Sequence, residues 1–228
     1  MESHQAIAFP QSCDRALQFS VPLALPISSM TATTHASPQT SRDRPISFQG
    51  GWEQFKLIQR GCEFASGVRL FYFDGIIEIL MPGQLHETFS RIIGWMLTYF
   101  LAAKQIPFTP TGSVTQEREG EVSAQADESY YIGAAKPIPD LSIEVVFSSG
   151  GINKLARYQA LGVLEVWFWE DGTLTLYRLG ERGYEPINRS ELPGLVDLDL
   201  NLFKQCILLA ETNAMEAVTV FVRSVGTL

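Results

Sequence analysis

Cysteine is scarce and scattered in this chain. Cys13, Cys62 and Cys206 are odd in number and far apart. That excludes a disulfide framework and a C-x-x-C metal site, and it fits the reduced thiols of a cytoplasmic protein. Positive charge is also short. Lys and Arg number 17 against 25 Asp and Glu, for a formal net charge of -8. Phosphate contacts need basic groups, so this balance counts against an extended nucleic-acid-binding face, though not against a local basic cleft. No run reaches the roughly 18 to 20 apolar residues of a membrane-spanning helix. The apolar stretch 16–28 is broken by Pro22 and Pro26 and follows Asp14, whereas a secretory signal wants a basic start and an unbroken core. There is no H-E-x-x-H, no serine elbow and no glycine-rich nucleotide fingerprint. No unit of about 20 to 50 residues repeats, which excludes a solenoid.

What remains is a chain of 228 residues, 46% hydrophobic, enough for one well-cored domain. Residues 1–48 differ from the rest. The run SSMTATTHASPQTSRDRP is rich in Ser, Thr, Ala and Pro without periodicity, so 1–48 is expected as a flexible leader. Met30 inside it offers an alternative start, and His4 and His35 stand apart from any site. Residues 49–228 read as a single domain with a C-terminal helical tail. Trp52, Phe55 and Ile58 predict a short helix over 51–60. RLFYF and IIEIL, joined by Asp74-Gly75, predict a hairpin with a type I′ turn. Leu85, Phe89, Ile92, Ile93, Met96 and Phe100 form the apolar stripe of a helix over 85–104. At 100° per residue His86 lies on the flank of that stripe and Glu87 nearly opposite it. Residues 106–119 read as one extended strand with a turn at Thr111-Gly112, and 201–224 as helix, covering the sheet or forming a dimer contact.

The stretch 121–170 organises the rest. It reads as strand, loop, strand, Ser-Ser-Gly-Gly turn, helix and strand. Two carboxylates, Asp127 ahead of SYYI and Glu144 within LSIEVVF, stand in apolar strand-like runs, where a buried charge needs a partner or a metal. Period-two alternation puts Leu141, Ile143, Val145 and Phe147 on one face, with Asp140, Ser142, Glu144 and Val146 on the other. Asp140 and Glu144 are then roughly 13 Å apart, too far to share one ion on a straight strand. Asp127, from a neighbouring strand, is the better partner. Magnesium is typically held by one or two carboxylates plus waters and phosphate oxygens.

These residues carry a resemblance. GWEQF at 51–55, FYFDGIIEILMP at 71–82, His86-Glu87, QADESYYI at 125–132, PDLSIEV at 139–145, and Lys154 through Tyr158 to LGVLEVW at 161–167 resemble, in order and spacing, a bacterial "putative restriction endonuclease" domain family of unknown function. That family lies within the PD-(D/E)xK, restriction-endonuclease-like, nucleases. The resemblance implies an α/β (α+β) fold: a mixed β-sheet core flanked by helices, with an N-terminal β-hairpin. It implies that Asp127 and Glu144 bind Mg2+ or Mn2+, that Lys154 completes the catalytic set, and that His86, Glu87 and Asp140 are accessory. It further implies phosphodiester hydrolysis of nucleic acid by a homodimer. Two positions depart from the pattern. Ala126 replaces the proline before the first acid, and Val146 stands where the strand lysine belongs, two past Glu144. Lys154 on the following helix is then a migrated substitute. The alternative is a catalytically degenerate member of the fold, serving as a binding or assembly module.

Overall fold

The computed structural model describes residues 44–147 and 151–226, with the side chains of 151–153 left out. Most of the expected leader, with Met30, Cys13, His4 and His35, and residues 148–150 of the expected glycine turn lie outside the described residues.

A strand, β1 (Ile46–Gln49), comes first and is followed by α1 (Trp52–Gly61). β1 begins inside the stretch expected as leader and pairs with β3. The predicted hairpin is β2 (Arg69–Phe73) and β3 (Ile76–Leu80). Its turn residues Asp74 and Gly75 have φ of 49° and 71°, the left-handed pair that a type I′ turn requires. The long helix α2 (Gln84–Ala103) follows. The turn expected at Thr111-Gly112 divides the extended stretch 106–119 into two strands, β4 (Phe108–Pro110) and β5 (Gln116–Arg118), which fall in different sheets. Gly112, at φ 54°, lies in the turn that separates them. The run 121–132 is likewise split into β6 (Val122–Ala124) and β7 (Glu128–Ile132). Residues 125–127 cross from one sheet to the other, so Asp127 sits at the step rather than within a ladder.

The remaining elements are β8 (Leu141–Val146), α3 (Gly151–Leu161), β9 (Glu165–Glu170), β10 (Thr173–Gly180), β11 (Gly183–Ile187), α4 (Leu200–Ala210) and α5 (Ala214–Val225). The helical tail is broken in two because Asn213 caps α5, its side chain accepting from the Glu216 N–H; Asp199 does the same for α4. A side-chain acceptor at such a position satisfies donors that the first helical turn leaves open.

Among the described residues the strands form two sheets. One has five strands in the order β1-β3-β2-β6-β5; the other has six in the order β11-β10-β9-β8-β7-β4. β8 and β9 run parallel, joined by the α3 crossover that a parallel pair needs; the other neighbours are antiparallel. This is the expected α+β architecture, a mixed sheet flanked by helices and preceded by a hairpin. β8 is buried along its whole length. On one of its faces Leu141, Ile143 and Val145 join Trp167 and Trp169 of β9 against Phe89, Ile93 and Leu97 of α2, with Phe203 of α4 and Phe221 of α5 completing the cluster. On the other, Val146, Val166 and Phe168 pack with Tyr158 and Leu161 of α3 and with Phe71 and Val122 of the five-stranded sheet. The tail helices thus cover the sheet, one of the two roles expected of them.

Two carboxylates outside the site are built into this packing. Glu165 opens β9. Its Oε1 accepts from the N–H groups of Glu191 (2.6 Å) and Leu192 (3.1 Å), and its Oε2 from Ser190 Oγ (2.8 Å) and Trp167 Nε1 (2.9 Å). Glu128 faces α2 at Gly94, where an added Cβ would come 2.7 Å from the carboxyl carbon. Burial pushes the Glu128 pKa up, against the opposing Arg91 charge and the Ser90 hydroxyl. Gly94 is therefore a cradle. In a Glu128→Ala background, Gly94→Ala is expected to stabilise the helix by about 1 kcal/mol. With Glu128 present the same change is expected to destabilise, giving an interaction energy of about 1–3 kcal/mol in a double-mutant cycle measured by urea denaturation. Additive effects would remove the cradle.

Candidate active site

Glu144 lies on the β8 face turned toward α3 and is 1% exposed. α3 brings Lys154 and Tyr158 to it from one helical face, since residues four apart are neighbours on a helix. Lys154 Nζ donates to Oε2 at 2.6 Å, and the Tyr158 hydroxyl donates to Oε1. Burial alone would raise the Glu144 pKa; the Lys154 and Arg157 charges and the two hydrogen bonds outweigh it and hold the group below the ordinary carboxylate value. Tyr158 moves the other way. Burial, with the Glu144 charge added, pushes its pKa well up, so its hydroxyl keeps its proton and acts as a donor. Arg157, one position before, lies over the Phe71 ring at 4.5 Å and donates to Glu78 Oε2 at 2.7 Å. The hairpin is pinned to α3 through this buried guanidinium.

Asp127 reaches the same region from the next strand. β7 pairs with β8 through Tyr130–Leu141, Ser129–Ser142 and Glu128–Ile143. The following position, Asp127, therefore comes beside Glu144, and its N–H donates to the Ile143 carbonyl at 2.9 Å. The side chain is 2% exposed. Its Oδ2 accepts the Val145 N–H at 2.5 Å. Its Oδ1 meets His86 Nε2 at 2.8 Å and the Arg69 guanidinium. His86 Nε2 is also 3.3 Å from Arg69 Nη1. One ring nitrogen can donate to the carboxylate or accept from the guanidinium, not both, so the close acidic oxygen favours an Nε2 proton. Arg69 Nη2 donates to Glu87 Oε1 at 2.8 Å.

The residues named from the sequence are placed as follows. Lys154 is on Glu144, and His86 is on Asp127, the buried member of its pair as the helical wheel has it. Glu87 is one contact further out, on Arg69. Asp140 is elsewhere: at the opposite end of β8 it accepts from the Ile132 N–H (2.8 Å) and from Lys136 Nζ (2.5 Å). Reading the sequence missed Arg69 and Arg157. The available signal for Arg69 was a lone charge opening an otherwise apolar strand; for Arg157, a second cation one turn beyond Lys154.

Among the described residues no three His, Cys, Asp or Glu side chains converge on one point to hold an ion. The donor chemistry nonetheless suits a hard divalent cation. Two carboxylates from neighbouring strands are the protein share that magnesium commonly takes, the rest being water and phosphate oxygens. Asp127 and Glu144 fit in kind, while their oxygens are already engaged by Arg69, His86, Lys154 and Tyr158.

Neighbouring segments of a mixed sheet thus bring an Asp and a Glu side by side, with a helix lysine on the Glu. The chain belongs to the Uma2 family, described as "Putative restriction endonuclease", whose family model matches residues 52–206. A comparison with curated proteins finds no match. Among solved structures, one described as "a putative nuclease belonging to DUF820" from Anabaena variabilis ATCC 29413 is similar at 18% identity, over 56% of this chain and 83% of that chain, with a TM-score of 0.43. No helix among the described residues is long and apolar enough to cross a membrane.

Proposed function

We propose that this protein is a metal-dependent nuclease that hydrolyses phosphodiester bonds of nucleic acid, with Asp127, Glu144 and Lys154 as its catalytic set. The observation that carries this reading is the 2.6 Å contact of Lys154 Nζ with Glu144, on a strand whose neighbour delivers Asp127. In this reading Lys154 takes the part of the strand lysine that Val146 replaces. Asp127 and Glu144 would hold Mg2+ or Mn2+. When bound, such an ion polarises a phosphoryl oxygen and lowers the pKa of its water. Lys154 supplies a fixed positive charge beside Glu144, placed to orient water and to stabilise negative charge as it develops. Tyr158 holds the other Glu144 oxygen and so fixes the carboxylate's plane. His86 and the Val145 N–H do the same for Asp127. A nucleic-acid substrate, a homodimeric assembly and a cytoplasmic setting belong to this reading.

The test is purified full-length protein with supercoiled plasmid and single-stranded DNA, in Mg2+, Mn2+ or EDTA, beside Asp127→Asn. Cleavage that needs the ion and falls by about a hundredfold or more in the variant is expected, the order seen when charge stabilisation is removed from a transition state. Equal cleavage by both proteins points to a contaminant and defeats the assignment.

A second reading has its own support. Every carboxylate oxygen of Asp127 and Glu144 already has a donor, and the chain's charge is -8. A non-catalytic binding or assembly module would look the same, and it predicts no ion-dependent cleavage by the wild type.

A further inference from the structure

The two oxygens of Asp127 are held differently. Among the described residues, Oδ2 takes a backbone N–H, from Val145, whereas Oδ1 meets the side chains of Arg69 and His86. Arg69 is itself buried, and a guanidinium does not lose its proton in a protein. Its charge therefore stands permanently at the place where an ion on Asp127 would have to put its own. Two cations at one buried carboxylate oxygen repel strongly, because little water screens them. Arg69 also has a second hold. Nη2 is 2.8 Å from Glu87 Oε1, and the Glu87 side chain is 42% exposed, so a carboxylate at the solvent edge keeps the guanidinium when Asp127 does not.

We propose that Arg69 is the resident counter-cation of the site: it neutralises Asp127 when no ion is bound, and ion loading moves it off Oδ1 to Glu87 alone. Arg69 is then a positioning residue that sets ion affinity by competing for one oxygen. The inference rests on the reading of Asp127 as a metal ligand. It differs from a structural salt bridge in sign, since loss of a merely structural arginine would loosen the site and weaken ion binding.

The experiment uses full-length wild type, Arg69→Gln, Arg69→Lys and Asp127→Asn, with Mn2+ as the probe. Affinity is read from the free-ion electron paramagnetic resonance signal, and unfolding is followed in EDTA and in saturating Mn2+. Arg69→Gln is expected to bind Mn2+ about tenfold more tightly than wild type, because a competing charge is gone. Arg69→Lys, which keeps the charge, is expected to stay within about threefold of wild type. Arg69→Gln should be unstable in EDTA and recover more on Mn2+ addition than wild type gains, the ion taking the guanidinium's place. Unchanged or weaker Mn2+ affinity in Arg69→Gln, or an instability that Mn2+ does not relieve, overturns the proposal. If Asp127→Asn binds Mn2+ as wild type does, the metal-ligand reading fails first. If Asp127→Asn loses the ion while Arg69→Gln matches wild type, only the counter-cation role is lost. No Mn2+ response in any of the proteins overturns both.

Discussion

Glu144→Gln should abolish ion-dependent cleavage, by about 10²–10³-fold or more, while leaving a folded protein. The amide is nearly isosteric and its one oxygen can still accept from Lys154 or Tyr158, so packing survives. What disappears is the negative charge that a divalent ion needs and that fixes the Lys154 ammonium at 2.6 Å. Glu144→Ala is the harsher and less informative change. It strands a half-buried lysine and a buried tyrosine hydroxyl, and breaking a buried ion pair from one side destabilises by up to about 3–5 kcal/mol. The measurement is single-turnover cleavage at saturating Mg2+, with circular dichroism melts run in parallel. Retained cleavage in Glu144→Gln would remove this residue from the chemistry.

The second large effect lies away from the site. Glu165→Ala should destabilise the fold by about 3–5 kcal/mol, since one buried carboxylate serves four donors and truncation removes that shared acceptor and its charge, leaving the Leu192 N–H its contact with Ser190 Oγ at 3.2 Å. Two of those donors are backbone N–H groups of Glu191 and Leu192, and a third is the indole of Trp167, whose ring is fully buried in the main core cluster. For a domain of this size the change corresponds to a fall in melting temperature of about 6–20 °C. Glu165→Gln should fall in between, because an amide offers one accepting oxygen to donors that now use two. Thermal and urea unfolding read both variants. A loss below about 1 kcal/mol in Glu165→Ala would mean that the 190–192 segment finds other partners, contrary to this geometry.

How much of this was legible beforehand differs element by element. The hairpin was, because Asp74-Gly75 between two apolar runs leaves the chain one favourable turn. So was α2, whose apolar stripe is long enough to fix its inward face; His86, read on the flank of that stripe, is more deeply buried than that position implies. The division of the strands between two sheets was not. A strand pattern is local, and neither the turn at Thr111-Gly112 nor the run 121–132 says that the chain changes sheets there. Asp127 shows the consequence. Its place between apolar residues marked it as a carboxylate in need of a partner, but its position at the step between sheets, where β2 can bring Arg69 to it, is a long-range fact. The pairing of Lys154 with Glu144 was readable as a possibility of helix after strand. The service of Glu165 to residues 26 and 27 positions later was not readable, for those donors are main-chain N–H groups that carry no residue identity.

Under the proposed function, the carboxylates of Asp127 and Glu144, from neighbouring segments of one sheet, act on one divalent ion. The direct measurement is Mn2+ binding stoichiometry by full-length wild type, Asp127→Asn and Glu144→Gln under identical conditions. One ion per chain is expected in the wild type, with loss of that ion in each variant separately. An ion that stays when either carboxylate is neutralised contradicts it.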